Sequence, residues 1–158
     1  MEPTMASLCL IMQLALPITK KQSANACKYE QQIIAEAVKN DIDPFLLASV
    51  IYVESGFYPH VVSSVNACGL TQVIPKYTGG PETGKRKYTC RQLKNPNTAI
   101  KVGAKILSYN IKVYGKGNED KGLCFYSTGV KCFKKGFYKK SRYVKKVRRI
   151  WNEIKDGC

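Results

Sequence analysis

The stretch 46-LLASVIYVESGF-57 sets one carboxylate, Glu54, at the end of an apolar run and follows it at once with Ser55-Gly56. At helical spacing Leu47, Val50, Ile51 and Glu54 occupy positions i, i+3, i+4 and i+7, so the acid shares a face with the apolar side chains. That face is expected to be buried. Asp43-Pro44, just upstream, reads as an N-cap followed by proline at the first helical position, and Gly56 reads as the stop. A carboxylate on such a face is desolvated, which disfavours its charged form and keeps it protonated to higher pH. A protonated acid near neutrality is a general acid. The competing reading is a helix-end glutamate turned out to water. Negative charge near a helix C-terminus is mildly unfavourable, however, and that speaks against a purely structural role.

The chain has 158 residues, 44% hydrophobic and 23% charged, a composition of folded proteins and long enough for one domain with a substantial core. No apolar run approaches the roughly 20 residues that span a bilayer. The 26 basic residues against 11 acidic ones give a net charge of +15, a field that attracts polyanions: nucleic acid, anionic lipid or an acidic cell-wall polymer. The segment Lys131 to Arg149, KCFKKGFYKKSRYVKKVRR, concentrates this charge, with no acid and with Phe133, Phe137, Tyr138 and Tyr143 interleaved. Its plainest reading is a solvated face. Attraction to an acidic cell-wall polymer comes next, and nucleic acid is the least favoured partner.

Residues 1–26 read as an N-terminal leader and 27–158 as the functional domain. Ala6 to Ile18 has the length of a signal-peptide apolar region, and Ala24-Asn25-Ala26 before Cys27 fits a small-x-small cleavage pattern. The flanks fit less well, since Glu2 precedes the run while Lys20 and Lys21 follow it. A buried N-terminal helix and a lipid-modified Cys27 are the alternatives. Of the seven cysteines, removal of the leader discards Cys9 and leaves six: Cys27, Cys68, Cys90, Cys124, Cys132 and Cys158. Six in a small exported domain suggest up to three disulfides. No pair has C-x-x-C spacing and His60 is the sole histidine, so neither a metal site nor a Ser-His-Asp triad is expected.

The pattern is helical nearly throughout. Helices are expected over Glu30 to Asn40, from Pro44 to about Gly56, briefly around Leu70 to Ile74, from Asn95-Pro96 to Gly115 as the longest, over Glu119 to Tyr126, and over Ser141 to Asp156. The forty residues after Gly56 are rich in Ser, Gly, Pro, Thr and Asn and read mostly as loop.

The blocks DPFLLA at 43–48, VESGFYP at 53–59, Val62-Ser63, GLTQVIP at 69–75, Asn95-Pro96, GAKIL at 103–107, FYSTG at 125–129 and Tyr143-Val144 together resemble the catalytic domain of the soluble lytic transglycosylases. These are lysozyme-like enzymes that cut bacterial peptidoglycan. The resemblance runs over about 120 residues in family order. It implies an all-α, lysozyme-like (goose-type) single domain with a long central loop region, no cofactor, and a bacterial periplasmic or exported location, with a phage virion as the alternative. Glu54 matches the family's catalytic acid and Ser55 completes its Glu-Ser pair, bracing the helix end. Ser63, Gln72, Tyr126 and Tyr143 match substrate-binding positions. Ser127 stands where the family has asparagine, and a serine offers neither the reach nor the paired amide donor and acceptor. The size resembles the specialised enzymes that open the wall for secretion systems, pili or phage. Among the 15 possible pairings, Cys68–Cys124 is expected because the blocks at 69–75 and 125–129 are expected to line one cleft, with Cys27–Cys90 tying the first helix to the loop and Cys132–Cys158 as the remaining pair.

The acid count bears on the reaction independently. Glycoside hydrolysis normally uses two carboxylates, and none lies between Glu54 and Glu82. One acid suits a reaction in which the substrate supplies the nucleophile; the resemblance implies that this is the muramic acid 6-hydroxyl, which closes a 1,6-anhydro ring. A muramidase recruiting Glu82, and a non-catalytic binding protein on the same scaffold, are the alternatives.

Overall fold

A computed structural model describes residues 7–157. Glu2 and Ala6 of the expected leader and Cys158 lie outside the described residues. Eight α-helices run through the rest: α1 Leu8–Ala15, α2 Lys20–Lys39, α3 Pro44–Ser55, α4 Cys90–Leu93, α5 Pro96–Tyr109, α6 Glu119–Thr128, α7 Phe137–Lys140 and α8 Arg142–Asp156. Among the described residues there is no strand longer than an isolated bridge, and no helix is long and apolar enough to cross a membrane.

α3 is the central element, with Leu46 through Ile51 buried without a break. Its start is fixed from two sides. Asp43 Oδ1 accepts from the Phe45 amide at 2.9 Å, while Asp43 Oδ2 accepts from Trp151 Nε1 of α8 at 2.9 Å, so the cap also fastens α8 to α3. Gly56 ends the helix in the left-handed region at φ +61°, a conformation that costs glycine little. α2 and α8 pack directly on α3, α5 packs on α2, α6 packs on α5 and α8, and the buried residues of all five form one continuous core.

α2 begins at Lys20, ten residues before the expected start, under a capping box in which Thr19 and Gln22 bond reciprocally. It passes through Ala26-Cys27 without interruption, so the boundary drawn there falls inside a helix. Ahead of it, α1 buries Leu8, Cys9, Ile11 and Met12 in the main core, and the Leu8 amide donates to Glu30 Oε1 at 2.6 Å. α2 is also longer than α5, because the expected longest helix changes geometry: residues 110–114 form a π-helical turn, closed by the Gly115 amide on the Asn110 carbonyl at 2.7 Å.

The helix expected around Leu70 to Ile74 is absent. Cys68 instead forms antiparallel bridges with Val62 and with Val73, and the turn between is closed by Gln72 at φ +52°. Long-range interactions outcompete local helix formation here: Leu70 and Thr71 are fully buried, and Thr71 Oγ1 donates to the Ala99 carbonyl of α5 at 2.7 Å.

The cysteines pair differently from the expectation, as Cys9–Cys27, Cys68–Cys90 and Cys124–Cys132. The blocks holding Cys68 and Cys124 do meet, but through a tyrosine: Tyr126 Oη donates to the Thr71 carbonyl at 2.6 Å. Their cysteines point into separate apolar clusters, Cys124 into the main core and Cys68 into a smaller one with Val73, Tyr88, Leu93 and Val102. Each finds the partner nearest in sequence on its own side. The bonded cysteines are 18, 22 and 8 residues apart, far shorter loops than expected. The Cys27–Cys90 and Cys68–Cys124 pairs are thus excluded, and Cys132 is committed to Cys124 instead of Cys158.

Candidate active site

A cleft of about 790 Å³ opens at the C-terminal end of α3. Glu54 reaches it from the last turn of α3, Ser63 and Gln72 from the loop that follows, Tyr126 and Ser127 from the end of α6, and Tyr143 from the first turn of α8. All five expected substrate-binding positions therefore line the same cleft as the expected acid. Ser55 does not. It is buried behind Glu54, with Oγ 2.7 Å from the Leu70 carbonyl and 3.1 Å from that of Ile51, tying the end of α3 to the loop.

The Glu54 carboxyl forms no hydrogen bond or ion pair with another described residue. Burial pushes it up to about 7, from an ordinary value of 4.5. Two phenols face it. Burial raises both Tyr126 and Tyr143, and the charge of Glu54 adds to the rise in each. Tyr126 is fixed by its bond to Thr71. Tyr143 Oη, by contrast, is buried with no partner among the described residues, which leaves a donor available inside the site.

Gln72 is held by backbone strain and by its own amide. Its positive φ is uncommon for a residue with a side chain, and Nε2 donates to the carbonyls of Val61 at 3.0 Å and Gly69 at 2.9 Å. That leaves Oε1 to accept. Ser63 Oγ accepts from the amides of Val65 and Ala67 at 3.3 and 3.1 Å, shaping the turn as well as lining the cleft. Ser127 Oγ turns back to the Cys124 carbonyl at 3.2 Å and to Thr128 Oγ1 at 3.0 Å.

Asn110, Tyr114 and Phe133 also line the cleft, none of them among the expected site residues. Asn110 lies in the π-helical turn, almost fully buried, and brings an amide into the cleft where Ser127 offers none. Tyr114, inside the expected longest helix, donates through Oη to Glu82 Oε1 at 2.7 Å. Glu82 thereby becomes a second carboxylate lining the cleft, and this bond raises Tyr114 to about 12. Phe133, 65% exposed, stacks edge-on against Phe125 and Tyr114 at the rim. The period signal needed to find Asn110 and Tyr114 is hidden by the change from α to π geometry, which rotates both toward the cleft.

The raised Glu54 makes a stability prediction. Its folded value lies above the unfolded one, so its favourable contribution is complete below about pH 4.5 and is lost as the pH rises through about 7. For a half-buried group the loss is roughly 1–3 kcal/mol. Glu54→Gln is therefore expected to melt several degrees above the parent protein at pH 8 and level with it at pH 4, as calorimetry across that range will show.

The transglycosylase SLT domain family model matches residues 31–148, a span that contains every cleft residue named above. The chain is 33% identical over 97 residues to the membrane-bound lytic murein transglycosylase E of Buchnera aphidicola subsp. Acyrthosiphon pisum, covering 58% of this chain and 44% of that protein. It is 39% identical over 72 residues to the endo-type membrane-bound lytic murein transglycosylase A of Salmonella paratyphi B, covering 42% and 35%. The chain spans less than half the length of these relatives. Among solved structures, the 70 kDa soluble lytic transglycosylase SLT70 from Escherichia coli superposes with a TM-score of 0.66 at 20% identity, over 81% of this chain and 24% of that one. An inactive mutant of lytic transglycosylase Slt from Pseudomonas aeruginosa gives 0.60 at 20% identity, over 90% and 22%. These likenesses establish the all-α, lysozyme-like fold. With a family match that runs from α2 into α8 and encloses the whole cleft, the chain belongs to the transglycosylase SLT domain family.

Proposed function

We propose that the chain is a peptidoglycan lytic transglycosylase that cleaves the MurNAc-GlcNAc β-1,4 bond with Glu54 as both acid and base. The observation that carries this reading is the Glu54 carboxyl, held near pH 7 by burial and directed into the cleft. At neutral pH a large fraction is protonated and ready to donate to the glycosidic oxygen. As the bond breaks, the GlcNAc O4 leaves with that proton and positive charge develops at C1 of MurNAc. The Glu54 carboxylate then takes the proton of the MurNAc 6-hydroxyl, O6 bonds to C1, and a 1,6-anhydro ring closes with the acid regenerated. The chemistry asks for no cofactor and no metal.

In this reading Gln72 Oε1 and Ser63 orient the sugar, and the unpartnered Tyr143 Oη donates to the Glu54 carboxylate when it forms. Tyr126 closes the wall beside it. Ser127 contributes only through its hydroxyl, and Asn110 supplies the amide. A second reading, a muramidase, rests on Glu82 in the same cleft. Its carboxylate accepts from Tyr114 Oη at 2.7 Å, and a second carboxylate in the cleft is what hydrolysis of a glycoside normally uses. Mass spectrometry of digested sacculi decides between them. Muropeptides with anhydro-muramic ends, lighter by one water than hydrolysis products, are expected; mainly reducing ends assign the role of base to Glu82. Absence of any clearing in zymograms of sacculi leaves the non-catalytic binder.

The site of action we infer is the bacterial periplasm or another exported location, with the phage virion as the alternative. The three disulfides support an oxidising compartment. Local wall opening for a secretion system or pilus is the finer form of this reading.

A further inference from the structure

The residues that line the cleft alternate with cations along the chain. Val130 and Phe133, 78% and 65% exposed, mark the rim on one segment, and Tyr77, 70% exposed, marks it on another. Lys131 lies between the first two, Lys134 and Lys135 follow Phe133, and Lys139 and Lys140 form the end of α7, just before Arg142 and the cleft residue Tyr143. All six cations are exposed, and none has an acidic partner within salt-bridge distance among the described residues. Lys76, beside Tyr77, is exposed too, with its ammonium 4.9 Å from that ring.

We propose that this basic rim binds the carboxylates of the stem peptides, so that the charge on the peptides, as well as the glycan, selects the substrate. The inference rests on the glycan-cleaving reading of the cleft. A strand seated against Glu54 must splay its peptides outward, because each peptide hangs from a muramic acid, and the rim is what they then meet. The band is mostly lysine. Lysine is a compact, mobile, strongly hydrated point charge, whereas arginine presents a rigid fork suited to one fixed anion. Lysines therefore suit carboxylates that arrive in many geometries. Steering of this kind between exposed charges is long-range and is screened by salt.

The test compares soluble, uncross-linked strands bearing native peptides with the same strands after carbodiimide coupling to ethanolamine. That treatment removes the carboxylate charge and keeps the bulk. At about 20 mM salt, kcat/KM is expected to be about tenfold higher on native strands, with the ratio falling toward one near about 0.5 M. In Lys134→Gln/Lys135→Gln/Lys139→Gln/Lys140→Gln, with an unchanged circular dichroism spectrum, the low-salt ratio is expected to fall toward one. A ratio near one in the parent protein, or one that the four substitutions leave intact, overturns the proposal. If neither substrate is cleaved, the enzymatic reading has failed, and co-sedimentation of Glu54→Gln protein still tests the rim. Salt-sensitive retention on native over amidated sacculi supports it. Equal retention on both, or stronger retention on phosphatidylglycerol vesicles than on native sacculi, overturns it.

Discussion

Glu54→Gln is expected to lower the rate of sacculus clearing by about a thousandfold or more while leaving the helix that carries it in place. The amide keeps the shape of the acid and has no proton to give. Nothing else in the cleft is placed to substitute. Both phenols facing Glu54 are raised by burial, so they hold their protons more tightly than free phenols and are poor acids toward a glycosidic oxygen. Glu82 is engaged by Tyr114, which donates to its Oε1 at 2.7 Å. Because Glu54 forms no hydrogen bond with another described residue, the substitution breaks none, and the same protein is expected to be the more stable one at pH 8. Loss of activity with gain of stability is the signature of a group kept buried for its chemistry. A Glu54→Gln protein that clears sacculi at a rate near that of the parent removes Glu54 as the acid.

The parts of this site that could be read in the sequence are those set by local chemistry. Asp43-Pro44 caps α3, Gly56 ends it, and helical spacing puts Glu54 on a buried face; each follows from residues within a turn or two. The remaining features were decided at long range. Leu70 to Ile74 has the composition of a short helix, yet bridges to Val62 and Cys68 and the burial of Thr71 against α5 draw it into a turn. The apolar run at residues 8–16 suits a packed helix as well as a leader, and only its neighbours on α2 and α8 show its burial. Cysteine partners depend on which core each side chain faces. Cys68 and Cys124 stand beside cleft-lining blocks and still point into different clusters. Glu82 illustrates the same limit. It is 28 positions from Glu54, with loop and a short 3-10 turn at Pro75–Tyr77 in the stretch after α3, so no shared helix fixes its register, and it enters the cleft through one tyrosine on a π-helical turn.

Gly69→Ala is expected to destabilise the fold by about 3–5 kcal/mol and to take most of the activity with it. Two costs add. Gly69 sits at φ +78°, where a side chain costs about 1–2 kcal/mol. A methyl group there is also driven into the Leu93 carbonyl oxygen at the end of α4, a backbone atom with no rotamer to escape into. Relief means parting α4 from the loop, which the Cys68–Cys90 bond one residue away resists. The strain therefore passes along the loop instead, and the loop is the cleft wall. The Gly69 carbonyl receives Gln72 Nε2, and the Gly69 amide donates to Val61 at 2.8 Å, so a shift of the backbone here moves the glutamine facing the sugar. Gly117→Ala separates the two costs. Gly117 has φ +88° but open space where a Cβ would stand, so only the conformational cost applies, about 1–2 kcal/mol with activity retained. Urea unfolding of the two variants beside the parent checks the difference. Equal losses at both positions refute the Leu93 contact as the cause, and a stable Gly69→Ala protein with full activity removes this loop from the support of Gln72.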